Sequence, residues 1–162
     1  MRSPALVRRV AAWLAGVWAG LIAAVGFVAA PVLFSVLPRA EAGHAAAHLF
    51  AVEAGLGLAV AALLLLLAFQ EARANAEVGG SRFSAEMLLV LAALFCIVAG
   101  HYAIQPMLAS AGHGGVPSFA LLHGVASAFF VARFIAVAIL AWRLVGGAAT
   151  VGADPRSAAT PS

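Results

Sequence analysis

The chain has 162 residues, of which 65% are hydrophobic and 9% charged, and its mean hydropathy is +1.08. A soluble domain carries about 25% charged residues, so the composition excludes a soluble globular enzyme and points to a lipid environment. The net charge of +3 arises from nine arginines and no lysine against six acidic residues, all scattered between apolar blocks, which leaves no continuous basic face for nucleic acid.

Within a bilayer every backbone polar group needs an internal partner, and a spanning helix takes about 20 residues. Four apolar segments meet that length, residues 10–37, 46–69, 87–107 and 119–145. The predicted fold is all-α, a four-transmembrane-helix bundle over residues 10–145. A short N-terminal segment (1–9) precedes it, and a small, polar tail (146–162) expected to be disordered follows it.

The first segment follows Arg8 and Arg9 and contains Val28-Ala29-Ala30, a small-residue site of the kind a signal peptidase cuts. Pro31 directly after it and the length of the run argue for an uncleaved helix. Ala12, Gly16, Gly20 and Ala24 recur every fourth residue, as do Ala51, Gly55 and Ala59 in the second segment. Small residues at this spacing let helices approach closely in lipid, although an alanine-rich chain also produces such stripes by composition alone. Pro31 removes an amide near the end of the first helix and is expected to kink it. Trp13, Trp18 and Trp142 suit membrane interfaces or helix contacts.

Pro38 and the Arg39–Glu41 pair close the first segment, a polar stretch separates the second from the third, and Ser118 is a candidate N-cap for the fourth. Arg2, Arg8, Arg9, Arg73, Arg82, Arg143 and Arg156 flank one side, against Arg39 on the other. By the positive-inside rule both termini are expected in the cytoplasm, N-in/C-in.

Arg133 falls about 18 Å into the fourth helix at 1.5 Å per residue, too deep to reach water easily. A central arginine costs about 2.5–3.5 kcal/mol on insertion scales and needs a partner facing the bundle. Glu53 is the one acidic residue well inside a predicted span. The two lie about four residues, roughly 6 Å, apart in predicted depth, which an arginine side chain covers. An ion pair between Glu53 and Arg133 is therefore expected, whose plainest role is fixing helix register.

All five histidines, His44, His48, His101, His113 and His123, fall in the half predicted to face outward. His44 and His48 share a helical face at the spacing of a two-histidine metal chelate. Glu53 lies about 140° around the helix from His48, so the pair is expected at the headgroup boundary. His101 with Gln105 and His123 with Ser127 fall at similar depth on neighbouring helices. They could form a polar pocket or, through the two imidazoles, ligate one b-type haem. Interhelical hydrogen bonding is the plainer account of the same residues. The single cysteine, Cys96, has no partner for an intrachain disulfide, and no nucleophile elbow, P-loop, GxGxxG or CxxC is present, so no catalytic residues are assigned.

WAGLIAAVGFVAAPVLF (Trp18 to Phe34), the following Ala42-Gly43 and Leu49-Phe50 with Glu53, Pro106 at the end of the third helix, and F-x-x-x-H-G-x-x-S from Phe119 to Ser127 stand in a characteristic order. In these the chain resembles the bacterial branch of the transmembrane protein 205-like family, domain of unknown function 4149. The resemblance implies a polytopic protein of the bacterial inner membrane without an established activity, with a hint of handling soft metal ions or small solutes. The family pattern places a basic residue soon after the third-helix proline, where PMLASAGHGG offers only His113. The resemblance also gives weight to His123, to Gly124 as a point of close helix approach, and to Ser127 as a hydroxyl for backbone or solute.

Three readings follow. The leading one is a non-enzymatic inner-membrane protein that binds or passes a small solute or metal ion through an outward pocket of His101, Gln105, His123 and Ser127, without a cofactor. The second is a b-type haem module on His101 and His123, and the third a scaffold or assembly subunit. The lipid bilayer is the expected surrounding partner, nucleic acid is not a partner, and a bundle this small leaves room for a homo-oligomer.

Overall fold

The computed structural model describes residues 4–76, 84–111 and 118–151. Among these the secondary structure is entirely helical: α1 (Pro4–Ala23), a first π-helical segment (Ala24–Ala29), α2 (Ala30–Val36), α3 (Arg39–Ala76), α4 (Ala85–Ile97), a second π-helical segment (Val98–Ile104), α5 (Gln105–Ala111) and α6 (Phe119–Val151). These combine into four spans, Ala5–Val36, Arg39–Arg73, Ala85–Leu108 and Phe119–Gly146, each long and apolar enough to cross a membrane. By that criterion the chain is a multi-pass membrane protein.

The helix ends follow from local chemistry. Ser84, which is extended, and Ser118 both act as N-caps, their hydroxyl oxygens accepting from the amides of Met87 (3.1 Å) and Leu121 (3.4 Å). Helix α3 starts at Arg39, not near residue 46 as its hydropathy suggested, because Pro38 ends the preceding turn while its carbonyl accepts from Ala42 N at 2.9 Å. Glu41 in the first turn complements the positive end of the helix. At the other end of the chain α6 continues past Val145 to Val151, so residues 146–151 are helical where a disordered tail was expected. The rest of that tail, with Arg2, Arg82, His113 and Arg156, lies outside the described residues.

Both π segments run into a proline. Pro31 has no amide for the carbonyl of Phe27, nor Pro106 for that of Tyr102, and each ring crowds that carbonyl. Phe27 and Tyr102 lie within the two π segments, where the wider turn accommodates the conflict. Just before Pro31, helix one is thus widened over Ala24–Ala29.

Helix α1 packs against α3 and α6, and α4 packs against the same two, which puts α3 and α6 on opposite corners of the bundle. The core near the end carrying the termini is dry, built from Ala15, Trp18, Ile22, Ala61, Val90, Ala93, Ile97, Val137 and Leu140. Trp18 is buried here, its indole nitrogen 3.0 Å from where a Cβ on Gly57 would stand, whereas Trp13 and Trp142 are 76% and 82% exposed on the outer surface. At this end Glu86 lies between Arg8 (3.8 Å) and Arg143 (3.6 Å), tying α4 to α1 and α6. In the opposite half the first π segment and α2 stay against α3 while their backbone moves away from α6.

The glycines expected to bring helices together are not the ones that do so. A Cβ on Gly16, Gly20, Gly55 or Gly124 would meet nothing within 4 Å, and all four are exposed, so these glycines face away from the bundle. Close approach is made instead by Gly26, where a Cβ would overlap the Phe130 ring, by Gly57 under Trp18, and by Gly100, where it would stand 3.2 Å from Phe129 Cβ. Fourfold spacing sets a stripe on one face, and the bundle buries a different face.

Candidate functional site

Where the first span leaves α6, the bundle encloses a cavity of about 430 Å³, within the roughly 300–1,000 Å³ usual for small-molecule sites. The two proline-driven π segments supply two of its walls, with Gly26, Phe27, Gly100 and His101 among the lining residues. Helix α3 contributes Phe50 and Glu53, and α6 lines it from His123 down to Arg133. At 1.5 Å per residue that stretch is about 15 Å long.

Glu53 and Arg133 form the polar floor. Each stands fourteen residues after the first residue of its helix, Arg39 and Phe119. Both helices start from the same end of the bundle, so equal residue counts give equal depth, about 21 Å. The two side chains meet across the bundle from opposite corners, Arg133 Nη2 donating to Glu53 Oε2. Glu53 and Arg133 are only 1% and 4% exposed, and the Arg133 guanidinium also lies 5.2 Å from the centroid of the Phe130 ring.

The pair does not satisfy itself. Glu53 Oε1 and Arg133 Nε are both buried without a hydrogen-bond partner, and both residues line the cavity. An unpaired buried polar atom of this kind costs about 1–3 kcal/mol, more where it is charged. The floor thus carries one unpaired acceptor and one unpaired donor on residues that line the space, both atoms themselves buried, while its net charge is zero.

Phe27, Phe50, Phe130 and Phe134 make an aromatic collar at this level. Phe27 meets Phe130 and Phe134 edge-on, with ring centroids 6.1 and 5.3 Å apart, and Phe50 meets Phe130 at 5.5 Å. Such edge-to-face contacts add specific geometry to apolar burial. They hold the side walls although Phe27 and Phe130 belong to helices whose backbones have separated.

The histidines sit higher and apart from this floor. His101, Gln105, His123 and Ser127 all border the cavity, with His101 and Gln105 half-buried and His123 and Ser127 exposed. Ser127 Oγ donates to the His123 carbonyl at 2.8 Å, so its proton is used within its own helix. His123 stacks flat on Phe119, at 5.9 Å and 8° between rings, and His101 packs edge-on to Tyr102. His44 and His48 are in contact, with centroids 4.8 Å apart. They are exposed on α3, and no third His, Cys, Asp or Glu joins them among the described residues.

Several contributors were not assigned to a pocket from sequence: Gly26, Gly100, Phe27, Phe50 and Phe130. The one available signal was the pairing of each of the two prolines, Pro31 and Pro106, with a glycine five or six residues upstream. Neither a curated protein nor a solved structure matches the chain. A family match does cover residues 13–117, which takes in Glu53 and both π segments and stops before α6 with Arg133. On that match the chain belongs to the family described as a domain of unknown function, DUF4149.

Proposed function

We propose that this membrane protein binds a small, neutral, mostly apolar molecule carrying one group that both donates and accepts a hydrogen bond, such as a hydroxyl or a primary amide. The observation that carries this reading is the floor of the cavity, where Glu53 Oε1 and Arg133 Nε lack partners. The ion pair is already neutral, so a charged ligand group would bring an uncompensated charge into a low-dielectric site, at high cost. A neutral donor and acceptor meets both open valences, and the aromatic walls take an apolar body.

The remaining features are assigned in the same reading. The chain sits N-in/C-in in a bacterial cytoplasmic membrane, with Arg8, Arg9, Arg73 and Arg143 on the cytoplasmic side, within the transmembrane protein 205-like branch of its family. The cavity then occupies the outward half. The protein binds or passes its ligand and carries out no chemistry on it. The proposed ligand is an organic molecule, not a metal ion, since the floor offers a single carboxylate already engaged by an arginine.

Cys96 lines the cavity and is the chain's only cysteine, which makes it a reporter in the unmodified protein. Decanamide is expected to slow alkylation of Cys96 by N-ethylmaleimide in lipid nanodiscs, with decanoate and decylammonium much weaker. The protection is expected to vanish in the Glu53→Gln, Arg133→Gln double variant. Equal protection by all three compounds, unchanged in that variant, contradicts the reading.

A further inference from the structure

The lining residues divide by exposure in a way that assigns the cavity a direction. Those contributed by α3 and by the third span, among them Phe50, Cys96, His101 and Gln105, are buried or half-buried. The exposed ones belong to the first and fourth spans. Pro31 and Phe34 stand on one side, and Ser127 and Val131 on the other, with Phe34 52% and Val131 42% exposed.

These four flank the stretch where the first span, widened by its π segment, parts from α6. The sill beneath is closed by Phe27 reaching over to Phe130 and Phe134. Counted from the ends away from the termini, Pro31 lies five residues into the first span and Val131 twelve into the fourth. At 1.5 Å per residue these are about 8 Å and 18 Å down their helices, so the gap runs from near the end of the spans toward the middle of a hydrocarbon core about 30 Å thick. Its deeper edge therefore faces acyl chains.

We infer that the cavity is loaded sideways from the bilayer, through a mouth between Pro31 and Phe34 on the first span and Ser127 and Val131 on α6. Its ligand is then a molecule dissolved in the hydrocarbon of the membrane, an apolar body with one neutral hydroxyl, carbonyl-amide or similar group, and not a solute taken from the aqueous side. This rests on the binding reading above and narrows its ligand class. The neutral floor fits that source, because charged molecules do not populate the bilayer interior while weakly polar ones do. The apolar rim residues fit it as well, since a mouth open to water would leave Phe34 and Val131 lining an aqueous entrance.

The test uses Cys96 in sealed lipid vesicles and two maleimides, the membrane-soluble N-cyclohexylmaleimide and a sulfonated, membrane-impermeant one. Val131→Trp narrows the lateral mouth, and Gln105→Trp narrows the end nearest His101. Sideways loading predicts that only the membrane-soluble reagent reacts readily, that Val131→Trp slows it about tenfold, and that Gln105→Trp leaves it within about twofold, with barrier changes read from the rates. A sulfonated reagent that matches the soluble one, slowed by Gln105→Trp and indifferent to Val131→Trp, overturns the lateral route while leaving ligand binding intact. Should neither reagent reach Cys96 in the folded protein while both modify it after denaturation, the cavity is closed, and both the route and the binding reading fall. Size-exclusion profiles of both tryptophan variants establish that they are folded before rates are compared.

Discussion

Glu53 and Arg133 meet at the same depth because each lies fourteen residues from the start of its own helix, and those helices enter from one end of the bundle and stand at opposite corners. The ion pair therefore crosses the bundle interior and closes the bottom of the cavity, leaving Glu53 Oε1 and Arg133 Nε buried beside it without partners. A buried pair is often no more stabilising than its hydrophobic replacement, whereas removing one partner alone is strongly destabilising.

That asymmetry gives a first prediction. Glu53→Gln alone or Arg133→Gln alone leaves a lone buried charge and is expected to lower stability by about 3–5 kcal/mol. The Glu53→Leu, Arg133→Met double variant is expected to be as stable as the wild type or about 1–4 kcal/mol more so. Thermal unfolding in one detergent, followed by helical circular dichroism, reads all three. A double variant that loses as much as the sum of the singles contradicts the assignment.

The glycines supply a second prediction. Gly26→Ala drives a methyl group into the Phe130 ring and is expected to cost about 1–3 kcal/mol, as overpacking does. Combining it with Phe130→Leu is expected to recover much of that loss, because the two positions share one space. Gly16→Ala and Gly20→Ala, which open outward, are expected to leave the monomer unchanged or slightly more stable through helix propensity. Unfolding midpoints of the four variants decide the matter.

Pro31 and the first π segment make a third. Pro31→Ala restores an amide opposite the Phe27 carbonyl and removes the ring that crowds it. The segment Ala24–Ala29 is expected to relax toward regular α-helix, raising stability and narrowing the cavity. Alkylation of Cys96 by N-ethylmaleimide is expected to slow in this variant while unfolding moves to higher temperature. An unchanged rate separates the π segment from the cavity.

The contacts of Glu86 with Arg8 and Arg143 are long, and the Arg143 side chain is half exposed. Surface pairs contribute about 0–1 kcal/mol and weaken with salt. Glu86→Gln is expected to cost less than about 1 kcal/mol, with the difference from wild type shrinking as salt is raised. A loss comparable to that of Glu53→Gln would mean that this cluster, not the buried pair, holds the helices together.

Much of this architecture was legible in the chain. Four long apolar runs fixed the number of spans, and depth alone pointed Arg133 toward Glu53, because a charge in hydrocarbon leaves few alternatives. The start of α3 was misplaced since Arg39–Ala45, with Arg39, Glu41 and His44, is too polar for hydropathy to join it to the apolar run that follows. The glycine stripes misled for a related reason: spacing sets which residues share a face but not which face is buried. Nor did the sequence indicate that two prolines would widen two helices beside the same space, as that depends on how the spans stand relative to one another. Of the histidines, conspicuous in sequence, His101 and His123 border the cavity above its floor, while the aromatic collar that shapes the cavity looked like ordinary membrane composition.

The most direct measurement is native mass spectrometry of the wild type and of the Glu53→Gln, Arg133→Gln double variant, each released from its own membranes in mild detergent. The account predicts a wild-type species carrying one neutral, apolar adduct of small-molecule mass, and a double variant that has lost it while keeping its fold. Identical adduct patterns in the two proteins, or a wild type free of any adduct across mild release conditions, would contradict the claim that the open valences of this ion pair hold a ligand.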